Sequence, residues 1–185
     1  PKIKQKNNAL PDGGRGYETP EGKLYPSITT VLSVRNKKGL HEWRERVGHD
    51  VANYIARTAA NRGTAVHKMC EDYLNNQHLA WPDEFEKHKE KNFLAWCLFT
   101  QMRDTLSNIN NIKCLETSLY SDTMGIAGQV DCIAEYKGKL SVIDFKTSTK
   151  ERKDSYNENY YIQACAYSYM FEERTGQQAE QCVIL

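Results

Sequence analysis

The sequence predicts an α/β (α+β) domain, with a mixed central β-sheet flanked by helices and a helical region ahead of it. Two observations predict it. Up to about residue 110 the apolar residues recur at helical spacing, and from 111 the period changes to two. Three candidate strands are then followed by one helix and one more strand, an order that builds a layered mixed sheet. At 185 residues the chain has room for one domain with its own core.

Residues 1–15 are polar, carry Lys2, Lys4 and Lys6, and contain a Pro-Asp-Gly-Gly turn, so they read as a flexible arm. Residues 16–185 read as one domain, mainly helical over 16–110 and forming the sheet and its helix over 111–185. Gly16–Thr19 and Lys23–Tyr25, separated by Pro20-Glu21-Gly22, read as a hairpin. Ser27 suits the N-cap of a short helix through Ile28, Val31 and Leu32. A second helix carries Leu40, Trp43 and Val47, and a third covers about 49–60. Asn61-Arg62-Gly63-Thr64 reads as an interruption before a fourth helix over 64–76, with Val66, Met69, Cys70 and Tyr73 on one side. A long helix is expected from about 83 to 107. Pro82 opens it, Asp83, Glu84 and Glu86 suit the positive end of its dipole, and its stripe of Phe85, Phe93, Trp96, Phe99, Met102 and Leu106 reads as core. Candidate strands follow at Ile112–Leu119, Ile126–Tyr136 and Leu140–Phe145, with Gly138 making a tight turn between the last two. A helix over 157–174 and a strand at Cys182–Leu185 complete the order.

Composition narrows the function classes. Twenty-five basic and twenty-four acidic residues give a net charge of +1, which excludes a polycationic tail and an acidic solvating one. Residues 1–48 nevertheless hold ten basic and five acidic side chains. No apolar run approaches the roughly 20 residues of a membrane span, so no membrane partner is expected. The six cysteines include no Cys-x-x-Cys pair, so no iron–sulfur cluster is expected. Their placement in apolar runs points to a reducing intracellular compartment. The chain begins at Pro1 without a Met and stops within a candidate strand, which reads as a trimmed chain. No transit segment is visible. The expected site is the cytoplasm (a host's, if the protein is viral) ahead of the mitochondrial matrix.

The chemistry concentrates on two neighbouring strands. Asp131 lies seven residues before Gly138 and Asp144 six after it, so a hairpin brings both carboxylates to one end of the sheet. Paired carboxylates attract a hard divalent cation. Lys146 follows Asp144 at i+2 on the same strand face, with the Phe145 carbonyl between them. Carboxylate, carbonyl and ammonium in this order suit metal-assisted hydrolysis, in which the ammonium orients or helps deprotonate the attacking water. Alone, an Asp-x-Lys is commonly an exposed ion pair of under about 1 kcal/mol. Here it lies in the apolar strand Ser141-Val142-Ile143-Asp144-Phe145, where burying a charge is costly.

Gly128-Gln129-Val130-Asp131, Asp144-Phe145-Lys146 and Gln163-Ala164-Cys165-Ala166-Tyr167 resemble the GxxD, DxK and QxxxY motifs of the PD-(D/E)XK nucleases, RecB-like branch. Tyr25-Pro26-Ser27-Ile28-Thr29 and Arg62-Gly63-Thr64-Ala65-Val66-His67 resemble N-terminal signatures of its mitochondrial genome maintenance exonucleases and related phage exonucleases. The resemblance spans residues 16–185. It implies a restriction-endonuclease-like core and a metal-dependent DNA exonuclease acting on single-stranded DNA or strand ends. A flap or junction endonuclease and a DNA-binding module with a vestigial site are the alternatives. It implies Mg²⁺ or Mn²⁺ held by Asp131, Asp144 and the Phe145 carbonyl, with His67 a ligand or close to one, and Lys146 as the catalytic lysine. Gln163 and Tyr167, one helical turn apart, steady the lysine or the DNA end. Glu116 and Glu71 are accessory acids. Arg62, Lys150, Arg152 and Lys153 are candidate phosphate contacts. Tyr156, Tyr160 and Tyr161 could stack on bases or simply pack. Trp43 and Arg44, with Lys37, Lys38 and Arg46, form a second basic–aromatic group. DNA is the implied partner, with other replication or recombination proteins possible. Val130 stands where the family's namesake has Pro, a departure common in the RecB-like branch.

Overall fold

The computed structural model describes residues 3–7, 9–11, 13–148, 153–154 and 157–185, without the Asn36 side chain. A small antiparallel sheet of β1 (Lys4–Lys6), β2 (Gly16–Glu18) and β3 (Leu24–Pro26) opens the chain. The helical part follows: α1 (Ile28–Ser33), a 3₁₀ turn (Val34–Asn36), α2 (Lys37–Val47), α3 (His49–Leu74), α4 (Gln77–Ala80), α5 (Pro82–Lys91) and α6 (Phe93–Leu106). Then come β4 (Ile109–Ser121), β5 (Ile126–Tyr136), β6 (Lys139–Asp144), α7 (Glu158–Thr175) and β7 (Gln181–Ile184). The main sheet has the order β4-β5-β6-β7. Its first three strands are antiparallel, and β7 joins β6 in parallel. The mixed sheet expected from the sequence is therefore present.

The sheet separates two cores. On one side Val66, Met69 and Cys70 of α3, Phe85 of α5 and Phe99 and Leu106 of α6 pack with Cys132, Ile143 and Phe145. On the other, Ala164, Tyr167, Met170 and Phe171 of α7 cover Val130, Ile133 and Val142, joined by Ile28 of α1. Each large apolar side chain so buried contributes about 1.5–3 kcal/mol. The α3 and α7 layers thus grip the β5–β6 hairpin that carries Asp131 and Asp144. That hairpin closes through Lys137 and Gly138, both at positive φ (51° and 80°), the conformation a two-residue primed turn needs.

Four local expectations are corrected. The segment read as an arm contains strand β1, paired with β2, and Ile3 beside it is buried. The interruption at 61–64 does not occur: α3 runs unbroken for 26 residues, because its buried Ala52, Val66, Met69 and Cys70 hold one helix against the core. The long helix over 83–107 is two helices. Asn92 leaves helical geometry (φ −155°, ψ 86°), and its side chain caps α6 by accepting from the Ala95 N–H. That break turns Phe93, placed in the apolar stripe by its spacing, out to solvent at 63% exposure. The first main strand begins at Ile109, and its register shifts between Asn110 and Cys114.

Gly63 lies inside α3, where glycine costs about 1 kcal/mol relative to alanine. A Cβ there would meet only Thr147 Oγ1, at 3.8 Å, an ordinary contact. Gly63→Ala is therefore expected to raise the melting temperature by about 2–4 °C, read by thermal denaturation. A lower melting temperature would show that the glycine serves the fold itself.

Candidate active site

Three adjacent strands deliver one carboxylate each to a single row. In the β4–β5 ladder Leu115 pairs with Cys132 and Thr117 with Val130, so Glu116 falls opposite Asp131. In the β5–β6 ladder Cys132 pairs with Ile143, and one further step brings Asp131 level with Asp144. Like charges directly opposite each other in a sheet are destabilising. Glu116 moreover sits at φ 45°, a left-handed conformation that costs a non-glycine residue about 1–3 kcal/mol. A strained row of like charges is an arrangement a bound cation would stabilise.

The fourth group comes from α3. His67 reaches across with Nε2 2.8 Å from the Phe145 carbonyl oxygen, and its ring meets the Phe145 ring edge-on. Its Nδ1 lies 3.5 Å from Asp131 Oδ1 and 3.8 Å from Glu116 Oε1. With Nε2–H donating to the carbonyl, a neutral ring would aim a lone pair at two anions. Burial works against charging the ring, but hydrogen bonding to Asp131 and Glu116 outweighs it and carries the pKa up to about 10. His67, Glu116 and Asp131 each offer a ligand atom within 4.8 Å of the others. An imidazole with two carboxylates is a nitrogen–oxygen donor set able to hold a divalent cation. The hydrogen bond from Nε2 to the Phe145 carbonyl, at 2.8 Å, holds the ring so that Nδ1 faces the two carboxylates.

Asp131 also fixes the strand beside it, accepting the Phe145 N–H at 2.7 Å through Oδ2. Asp144 is 1% exposed. Burial, then the Asp131 charge, pushes its carboxyl up to about 6. The Lys146 ammonium forms an ion pair with Asp144 Oδ2 and lies 5.0 Å from the centre of the Tyr160 ring. Asp144 therefore stands against Lys146 rather than within the His67–Glu116–Asp131 trio. Gln163 and Tyr167, one turn apart on α7, are hydrogen-bonded to each other at 3.3 Å. Both line the same cleft of about 550 Å³ as His67, Glu116, Asp131 and Lys146.

The PD-(D/E)XK nuclease superfamily profile matches residues 38–184. The chain belongs to the PD-(D/E)XK nuclease superfamily. Its mixed sheet between helical layers is accordingly the restriction-endonuclease-like core, and the superfamily's use of divalent metals fits the donor set just described. The chain is also 30% identical over 137 residues to the Homo sapiens protein called mitochondrial genome maintenance exonuclease 1, covering 70% of this chain and 38% of that one. Its Mus musculus counterpart is 28% identical over 135 residues, covering 69% and 38%. The Xenopus tropicalis counterpart is 30% identical over 135 residues, covering 69% and 37%. The chain thus spans under two fifths of the length of these relatives.

The nuclease cleft gathers some of the expected residues and leaves others outside. Glu71 lines it but is engaged by Lys68 at 2.9 Å. Arg62 lies about 140° around α3 from His67 at 100° per residue and is absent from the cleft lining, its Nε buried without a hydrogen-bond partner. Trp43 and Arg44 sit on α2, away from the lining, and Arg44 donates to Asn53 at 2.5 Å. Tyr160 lies against Lys146 instead of projecting as an isolated stacking platform. Tyr161 donates its hydroxyl to Asp154. Lys153 is exposed. Lys150, Arg152 and Tyr156 lie outside the described residues. Among the cleft residues that went unremarked as site residues are Arg15 and Thr29, whose side chains are hydrogen-bonded at 2.8 Å. Thr29 stands in the Tyr25–Thr29 signature, which was the available signal. Arg15 had none beyond the basic excess of the first 48 residues.

Proposed function

We propose that the protein is a divalent-metal-dependent DNA exonuclease acting on single-stranded DNA or strand ends, with Mg²⁺ or Mn²⁺ as cofactor. The observation that carries this reading is the set His67, Glu116, Asp131 and Lys146 lining one cleft, with Asp144 buried behind it in the same carboxylate row. Asp131, Glu116 and His67 would hold the cation, with the Phe145 carbonyl beside them. The cation supplies Lewis-acid stabilisation of the charge that builds on the phosphate during hydrolysis. Lys146 orients the attacking water, and its ammonium is held for that task between the Asp144 carboxylate and the Tyr160 ring. Gln163 and Tyr167 form the opposite wall and align the strand. The exonuclease names of the relatives support the choice among nuclease reactions.

The test is a time course on 5′-labelled single-stranded DNA, linear and circular, in Mg²⁺, Mn²⁺ or EDTA, beside Lys146→Ala. Metal-dependent loss of the linear strand alone, absent in Lys146→Ala, is the expected result. Cutting of the circle replaces the exonuclease with an endonuclease. Binding without any cutting would make the protein a DNA-binding module.

A further inference from the structure

The catalytic constellation leaves one neighbouring feature unexplained. Beside the cleft runs a second, more open groove of about 510 Å³, lined by Gly13, Gly14, Arg15, Thr29, Thr30, Ser33 and Lys37. Arg15 and Thr29 belong to both, so the two spaces share a wall. Among the described residues, no carboxylate lines the groove. The neighbouring pocket along α3 and α5 differs. There the cation Lys68 is neutralised by Glu71 and Asp72, and Glu84 lines the wall.

The groove's two cations are available for anions. Neither Arg15 nor Lys37 has a carboxylate in ion-pair contact among the described residues. Arg15 is also aimed: its Nη2 donates to Thr29 Oγ1, and its backbone carbonyl accepts the Ser27 N–H at 3.0 Å. The guanidinium is thereby held at the cleft mouth with donors left over. Lys37 lies eight residues beyond Thr29, and Thr29, Ser33 and Lys37 recur every four positions, on one side of the helical path. At about 1.5 Å per residue in α1 and about 2.0 Å in the 3₁₀ turn that is about 13 Å, enough to set the two cations against different phosphates of one strand.

We propose that this groove is the backbone-phosphate track of the strand being cut. Arg15 takes a phosphate close to the scissile one, Lys37 takes a phosphate further along, and Thr29 is the positioning residue that sets the Arg15 guanidinium. The track reads charge and spacing, not sequence, because among the described residues no base-reading amide or carboxylate side chain lines it. The basic excess of residues 1–48 thereby acquires a place in the fold. This inference rests on the nuclease reading and deepens it.

The test measures binding without turnover. A fluorescein-labelled oligothymidylate is titrated with full-length protein in EDTA, by anisotropy, over a range of salt concentrations. Each phosphate contact to a single strand contributes about −0.7 to the slope of log K against log salt. Arg15→Ala and Lys37→Ala are each expected to reduce the slope by about 0.7, and the double variant by about 1.4. Thr29→Val, which changes no charge, is expected to shift the slope in the direction of Arg15→Ala. Lys87→Ala, on the outer surface of α5, removes the same charge and is expected to leave the slope unchanged. A mixed-sequence oligonucleotide should respond as oligothymidylate does. An unchanged slope in the double variant overturns the track, and so does an equal loss in Lys87→Ala. If the wild-type protein cuts linear DNA and binds it while the double variant keeps the slope, only this inference fails. If the wild-type protein neither binds nor cuts, it falls together with the proposed function. Circular dichroism of each variant separates a lost contact from a lost fold.

Discussion

Asp131→Asn is expected to lower DNA cleavage by about a thousandfold or more and to remove the thermal stabilisation that Mn²⁺ confers. Asp131 stands between Glu116 and Asp144 in the carboxylate row and 3.5 Å from His67, so it neighbours each of those three groups. Losing a carboxylate that anchors the cation removes several kcal/mol of transition-state stabilisation, at about 1.36 kcal/mol per tenfold in rate. The wild-type fold should gain about 2.7 kcal/mol at Mn²⁺ a hundredfold above its dissociation constant. For a chain of this size that is a rise in melting temperature of about 5–11 °C. In EDTA the variant should lie within about 1 kcal/mol of wild type, because three effects offset one another. The amide oxygen still accepts the Phe145 N–H, repulsion from Glu116 and Asp144 is relieved, and attraction to the His67 ring is weakened. Thermal denaturation with and without Mn²⁺ separates the outcomes. A variant that keeps either the Mn²⁺ shift or the cleavage would remove Asp131 from the centre of the site.

Why some of this could be read from the sequence is a matter of range. Asp131 and Asp144 lie on strands joined by a two-residue turn, so counting outward from Gly138 was enough to align them. The i+2 relation of Asp144 to Lys146 and the i+4 relation of Gln163 to Tyr167 are equally local, and each held. His67 is distant in sequence from Phe145, and its arrival at the carbonyl depends on how α3 packs on the sheet. Only the Gly-Thr-x-x-His signature announced it. Spacing failed where tertiary packing overrode local propensity. Gly63 looked like a break, yet the buried stripe of α3 carries the helix through it. The stripe of Phe85, Phe93 and Phe99 looked continuous, yet Asn92 caps a new helix and changes the phase. Arg62 was assigned by closeness in sequence to His67, but five residues along a helix is the wrong angle. Arg15 could not be read at all, since its partner Thr29 lies across the β2–β3 hairpin and no period connects the two.

Gly128→Ala is expected to destabilise the protein by about 1–3 kcal/mol, a fall of several degrees in melting temperature, and to cut cleavage at the same time. The reason joins two motifs that the sequence presents separately. A Cβ on Gly128 would lie 2.8 Å from both Cε1 and the hydroxyl oxygen of Tyr167, and 3.1 Å from Ile28 Cγ2. Contacts under 3.0 Å are not sustained, so the ring or the strand has to move. Tyr167 is 2% exposed and packed within the α7 core, so displacing its ring disrupts that packing. The glycine of GxxD is therefore the seat of the tyrosine of QxxxY, and that seat sets where Gln163 stands, since Gln163 donates to the Tyr167 hydroxyl. Displacing the ring moves one wall of the cleft and leaves the carboxylate row untouched. The loss should therefore appear in cleavage and stability while Mn²⁺ still raises the melting temperature, a pattern opposite to that of Asp131→Asn. Adding Tyr167→Phe removes the oxygen at 2.8 Å but not Cε1, so the double variant should recover part of the lost stability and show a non-additive coupling. Strict additivity in that cycle, or a Gly128→Ala protein as stable as wild type, would mean that the ring does not depend on the glycine for its place.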